Sequence, residues 1–266
     1  MDRIGIIGGT GLVSINLESD YRPELEQLQI SVIRSDEITV ETEFGSVPLK
    51  CITVNCQGKQ KELVFLQRHH NNGSANKPPH MINHKANIKA LQDSACEVII
   101  SVCSIGTLAA DFPPGKVSLA DQYIDFTGVA TSYNDTFAVF TSVTEPFSRE
   151  LNSIIEKNLR DAQGFDDSEK MYYTYWLAQG PHFETRAEVD AIDKLGGHMV
   201  GMTMAREVKL ANEIMIPYSA ICISSNWAAG REPGDPSAEL SHNLVASQAN
   251  DRLNPVILSV LKLLQF

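Results

Sequence analysis

Residues 3–12 read RIGIIGGTGL, and the fold class is decided by how this stretch is read. Arg3 to Ile7 is a short apolar run with no polar face, which predicts a buried strand. Gly8, Gly9 and Gly11 then stop it in a tight turn. The pattern recurs downstream. Val98 to Cys103 (VIISVC) runs into Ser104-Ile105-Gly106-Thr107, and Tyr218 to Ser225 (YSAICISS) runs into Asn226. Met171–Ala178 and Met199–Gly201 read as further strands. Helical spacing of apolar residues marks Asn83–Ala95, Pro146–Arg160, Thr185–Leu195 and Ala205–Ile214, and 239–264 with an interruption near Pro255. Residues 38–66 alternate, with breaks at Gly45, Pro48 and Gly58, and predict an antiparallel meander ending in Leu63–Leu66. Strands alternating with helices beside such a meander predict one α/β domain over residues 1–266, with a mixed sheet flanked by helices.

The chain has 266 residues, with 43% hydrophobic and 21% charged residues, as a globular protein has. Its 22 Lys+Arg against 33 Asp+Glu give a formal charge of −11, which argues against a nucleic-acid partner. A small anion needs only a local cluster of donors and stays open. The N-terminus lacks signal-peptide order, and no apolar run approaches a membrane span, so the expected location is cytoplasmic. Five cysteines without a C-x-x-C pair read as reduced, mostly buried thiols.

Several of these strands end in small or polar residues: Thr10 after the first, Gln67-Arg68-His69-His70 after Leu66, Ser104 after Cys103, Met202-Thr203 after Gly201, and Asn226. Open α/β sheets bind ligands beyond the carboxyl ends of their strands. Glycines let backbone N–H groups approach a ligand, hydroxyls add donors, and Arg offers a planar fork suited to phosphate. Thr10, Arg68, His69, Ser104 and Thr203 together suit a dianion. Two other chemistries share these residues. A dinucleotide fingerprint starting at Gly9 ends on Ser14 instead of Gly or Ala, and no clear helix follows. His80 and His84, with His69 and His70 nearby, suggest a metal hydrolase, but Pro78 and Pro79 make His80 a poor helical ligand and no acidic third ligand has a recognisable spacing. A non-catalytic small-molecule binding protein is a third alternative.

Four segments, IGIIGGTGL (4–12), RHH…PPHMINHKAN (68–87), GPHFETRAE (180–188) and VGMTMARE (200–207), followed by Asn226, resemble the trimeric purine nucleoside and methylthioadenosine phosphorylases. The resemblance runs in order along nearly the whole chain. It implies a pentosyltransferase that splits a nucleoside with phosphate, with inorganic phosphate as co-substrate and no metal or organic cofactor. It further implies phosphate contacts from Thr10, Arg68, His69, Cys103, Ser104 and Thr203, with Met202 under the ribose and Phe183 against the purine. Glu184 and Asn226 would face the base edge. A homotrimer is implied, its pocket closed from the neighbouring subunit by Tyr133 or a His within 80–84.

A 6-oxopurine presents N1–H as donor and O6 and N7 as acceptors, which Glu184 and the Asn226 amide match. A 6-aminopurine requires the reverse pattern at its 6-position. The methylthioadenosine enzymes resemble one another in an Asp-x-Asp at this strand end, whereas this chain has Asn226-Trp227-Ala228. Inosine, guanosine or methylthioinosine are therefore the expected substrates, with methylthioadenosine as the alternative. The run Asn226-x-Ala228-Ala229-Gly230 resembles the methylthioinosine branch, and His242 resembles a histidine that meets a 5′-hydroxyl. The sequence departs from the family at Cys103 (usually Thr), at Ala205-Arg206-Glu207 (usually Val-Pro-Glu), at His84 (commonly Tyr), and in a longer loop 70–80.

Overall fold

A computed structural model describes residues 1–71, 76–240 and 252–266. Its strands are β1 (Arg3–Gly8), β2 (Ile30–Thr42), β3 (Gly45–Cys56), β4 (Lys59–Gln67), β5 (Val98–Thr107), β6 (Val117–Asp125), β7 (Tyr172–Leu177), β8 (Met199–Gly201) and β9 (Tyr218–Trp227). They form one mixed sheet in the order β2-β3-β4-β1-β5-β8-β7-β6-β9. Because β9 also pairs with β5, the strands β5, β8, β7, β6 and β9 close on themselves as a ring. The expected mixed α/β architecture is the observed one.

The helices are α1 (Leu17–Asp20), α2 (Arg22–Gln27), α3 (His84–Asp93), α4 (Arg149–Gln163), α5 (Arg186–Lys194), α6 (Met204–Glu213) and α7 (Leu253–Leu263). Side chains of β1 and β5 alternate between two cores, as the pleat requires. Ile4, Ile6, Val98, Ile100 and Val102 pack with α4 and α7 on one face, and Ile7, Ile99, Cys103 and Ile105 pack with α3 and α6 on the other. Caps set the helix starts. Ser148 accepts from the Leu151 N–H, so α4 begins at Arg149 and not at Pro146, and Gly164 in the left-handed region ends it. Thr185 and Glu188 form a capping box on α5.

Some local expectations need correction. Pro48 does not break the meander. It lies inside β3 opposite Thr39, on an exposed stretch where β4 has not yet begun to pair, so no second ladder asks for its missing N–H. The strand starting at Val98 continues through Ser104–Thr107, because β8 and β9 pair with that end. Pro255 sits in the first turn of α7, where a proline is tolerated; of the expected helix over 239–264, residues 239–240 are not helical and 241–251 lie outside the described residues. The short helices α1 and α2 and the strand β6 carry too little periodicity to be read in advance. All five cysteines are buried and free. Among the described residues no helix is long and apolar enough to cross a membrane.

Candidate active site

Strands β4, β1, β5 and β9 are neighbours and run parallel, so their carboxyl ends meet at one edge of the sheet. This places Arg68, Thr10, Ser104 and Asn226 side by side. β8 runs antiparallel to the end of β5, with Val200 opposite Gly106, and brings Met202 and Thr203 in from the other direction. The resulting cavity has a volume of about 550 Å³. Its wall includes Thr10, Arg68, His69, Ser104, Phe183, Glu184, Met202, Thr203, Asn226 and Ala228, ten of the residues singled out from sequence.

Cys103 is not on that wall. Residues 101 and 103 of β5 point into the α3/α6 core, so the thiol is buried beneath Arg68, 3.8 Å from its Nη2. Burial pushes the thiol upward, so Cys103 is a neutral packing group there. His242 lies outside the described residues.

Arg68 is the most constrained member. It is 3% exposed. Nε donates to Glu207 Oε1 at 2.8 Å, Nη1 to the Val102 carbonyl at 3.0 Å, and Nη2 to Ser101 Oγ at 2.6 Å and Glu207 Oε2 at 3.3 Å. Four of the five guanidinium donors are thus engaged within the protein. Nη1 also passes against Gly9, where any Cβ would sit 2.5 Å from it. Glu207, 1% exposed on α6, further accepts from Ser101 Oγ at 3.0 Å and Tyr218 OH at 2.8 Å. Burial pushes its carboxyl up, but Arg68, followed by His84 and the Tyr218 and Ser101 hydroxyls, outweighs that and holds it below the usual range. Burial likewise works against the Arg68 cation, and Glu207 more than restores it.

His84 faces this pair, with Nδ1 3.8 Å from Glu207 Oε1. Neither ring nitrogen has a hydrogen-bond partner among the described residues. Burial is the main cause that lowers its pKa to about 4, against the pull of Glu207, so the ring is neutral. Arg206 is buried beside it, and its Nη2 donates to Gln179 Oε1 at 2.9 Å. His80 is exposed in the short turn Pro79–Met81 and does not join His84. Among the described residues no three His, Cys, Asp or Glu side chains group to hold a metal ion.

The remaining groups sit as follows. His69 Nδ1 donates to the Lys77 carbonyl at 2.8 Å, and the Lys77 N–H returns a bond to the His69 carbonyl at 2.9 Å. Ser104 Oγ is buried with no partner among the described residues. Thr203 precedes α6 but makes no side-chain cap. The Asn226 amide Nδ2 donates to the Trp227 carbonyl at 2.7 Å, which fixes the orientation of the amide. Burial, with a smaller push from Glu188, raises the Glu184 carboxyl. Gly180 takes φ +64°, and a Cβ there would lie 2.7 Å from Met202 Sδ, so a glycine lets the 180–184 loop close over Met202. Tyr133 is held within its own chain: its OH donates to the Lys85 carbonyl at 2.8 Å and its ring lies against Phe44.

Sequence reasoning gave Gln67 and Gly106 only as strand-end residues, and it did not single out Lys77 on the cavity wall or Glu207 as the partner of Arg68. Glu207 had a legible signal. It is an acid among Met204, Val208 and Ala211 on the apolar side of a helix, where a lone carboxylate requires a partner.

Residues 3–262 match the family model described as the phosphorylase superfamily. The chain is 34% identical to a probable 6-oxopurine nucleoside phosphorylase of Thermococcus kodakarensis, over all of this chain and 93% of that protein. It is 33% identical to a probable S-methyl-5′-thioinosine phosphorylase of Thermodesulfovibrio yellowstonii, over 86% of this chain and 78% of that protein. The fold is shared with a methylthioadenosine phosphorylase from Schistosoma mansoni solved with adenine, at a TM-score of 0.80 and 22% identity, over 100% of this chain and 91% of that one.

Proposed function

We propose a specific reaction for this chain, which belongs to the phosphorylase superfamily: phosphorolysis of a 6-oxopurine nucleoside or its 5′-methylthio analogue to free purine and the (methylthio)ribose 1-phosphate. One observation carries the reading. A single cavity has hydroxyl, guanidinium and imidazole groups of the kind that hold phosphate, together with the Glu184 carboxylate and Asn226 amide, and no acid stands at 226–228.

In this reading phosphate is held by Thr10, His69, Ser104, Thr203 and the remaining Nη1 donor of Arg68. The unpartnered Ser104 hydroxyl and the uncapped Thr203 support that assignment. The α6 N-terminus adds a favourable dipole. Met202 underlies the ribose, Phe183 covers the purine, and Ala228 leaves room beside it. Glu184 accepts from N1–H, and Asn226, with one amide N–H held by the Trp227 carbonyl, directs its remaining N–H to the O6/N7 edge. A phosphate oxygen attacks C1′ as the bond to N9 breaks, and the bonding pair passes into the purine. Charge grows at the atoms Asn226 faces, so that hydrogen bond strengthens toward the transition state. The proton of the hydrogen phosphate dianion balances the one gained by the base, and no side chain forms a covalent bond. Neither metal nor organic cofactor has a role; phosphate is the co-substrate.

The enzyme works as a cytoplasmic homotrimer in purine salvage, with one catalytic domain per chain. Support for assembly comes from Phe126, Phe137, Val139 and Phe140, which a lone chain leaves in water along 126–145. Incubation of a candidate nucleoside with and without phosphate tests the reaction itself. We expect base and sugar 1-phosphate to appear in equal amounts only when phosphate is present. Release of base without phosphate would make the protein a hydrolase, and ligand binding without release would make it a binding protein.

A further inference from the structure

The described cations on the cavity wall are Arg68, Lys77 and, when protonated, His69. The Arg68 charge is cancelled at 2.8 Å by Glu207 within the same buried cluster. His69 donates its Nδ1 proton to a carbonyl, so its neutral form carries no proton on Nε2. Thr10, Ser104 and Thr203 offer only neutral hydroxyls. A dianion entering this cavity therefore still requires a positive charge, because a buried ion is stabilised only when it is paired.

Lys77 has the attributes for that role. It lines the cavity, is half-buried, and has no carboxylate within ion-pair distance among the described residues. Its backbone is fixed at both polar atoms, since its N–H and carbonyl are bonded to His69. Pro78 and Pro79 follow immediately and restrict the chain on the other side. Lys77 thus lies on the cavity wall with its backbone tied to His69, one of the proposed phosphate ligands.

Resting on the phosphorolysis reading, we propose that Lys77 is a phosphate-specificity residue, supplying the uncancelled positive charge that pairs with the phosphate co-substrate. The test is steady-state kinetics of the full-length enzyme and its Lys77→Gln and Lys77→Arg variants, varying phosphate and nucleoside separately. We expect Lys77→Gln to raise the KM for phosphate about tenfold or more, as loss of one charge beside a dianion in a partly solvated site implies. The KM for nucleoside should stay within about twofold, and Lys77→Arg should restore most of the phosphate affinity. An unchanged phosphate KM in Lys77→Gln, or an equal rise in both KM values, overturns the assignment while leaving phosphorolysis intact. Base release by the unaltered enzyme without phosphate overturns the functional reading and this inference with it.

Discussion

Replacing Glu207 with Gln isolates the buried pair behind the proposed phosphate site. The carboxylate accepts four hydrogen bonds, two from Arg68 and one each from Ser101 and Tyr218, at 1% exposure. A glutamine is nearly the same shape, so packing is preserved. However its amide nitrogen faces a donor whichever way it turns: Arg68 Nε on one side, or Arg68 Nη2, Ser101 and Tyr218 on the other. Arg68 at 3% exposure is left as a buried cation without its counter-ion. Breaking a buried pair from one side costs about 3–5 kcal/mol. Urea unfolding near pH 7.5 with an unchanged m-value should show that loss. A cycle with Arg68→Met should show coupling, the double variant being about 2–3 kcal/mol more stable than the sum of the singles implies. The sign of the pH dependence follows from the direction of the Glu207 shift. A depressed carboxyl contributes stability above the unfolded pKa, about 4.3, and loses it as pH falls through the folded value. Glu207→Gln should therefore flatten the acid limb of the stability curve. A cost below about 1 kcal/mol, or additivity within about 0.5 kcal/mol, would refute the reasoning.

Three further outcomes follow from the same site. His84 is neutral in the fold, with its pKa lowered to about 4 from 6.5. The unfolded chain thus binds more protons between those values, and stability falls by about 3 kcal/mol as pH drops from 6.5 to 4. His84→Leu should remove that slope in unfolding measurements at pH 7.5 and pH 5, and parallel curves would contradict it. Gly9→Ala places a methyl 2.5 Å from an Arg68 nitrogen that cannot retreat, being held by Glu207, Ser101 and Val102. It should cost about 1–3 kcal/mol by chemical denaturation and raise the phosphate KM, and wild-type values for both would show that Arg68 yields freely. Asn226→Asp offers an acceptor where O6 presents one, and should lower kcat/KM for 6-oxopurine nucleosides by about a hundredfold; undiminished use of inosine would detach Asn226 from the base.

The sheet was legible because its strands are short apolar runs closed by glycine or polar residues, as at Ile4–Thr10 and Val98–Thr107. The site was legible because those polar residues share one edge when the strands run parallel. The details depended on partners distant in sequence. Cys103 and Ser104 are adjacent, yet the pleat sends one into the core and the other to the cavity. β5 runs past Cys103 because strands nearly 100 and 120 residues later pair with its end. Arg68 looked like a bare phosphate fork, but 139 positions on, Glu207 takes up two of its donors and its charge. Lys77 carried no signal in a polar loop until the fold tied it to His69.

The most direct test is one panel of nucleosides, run with phosphate: inosine, guanosine, methylthioinosine, adenosine and methylthioadenosine. Glu184 and Asn226 predict base release from the 6-oxopurine members, with the 6-amino members slower by about a hundredfold or more. Rapid phosphorolysis of methylthioadenosine with inactivity toward every 6-oxopurine would contradict the assignment of those two residues.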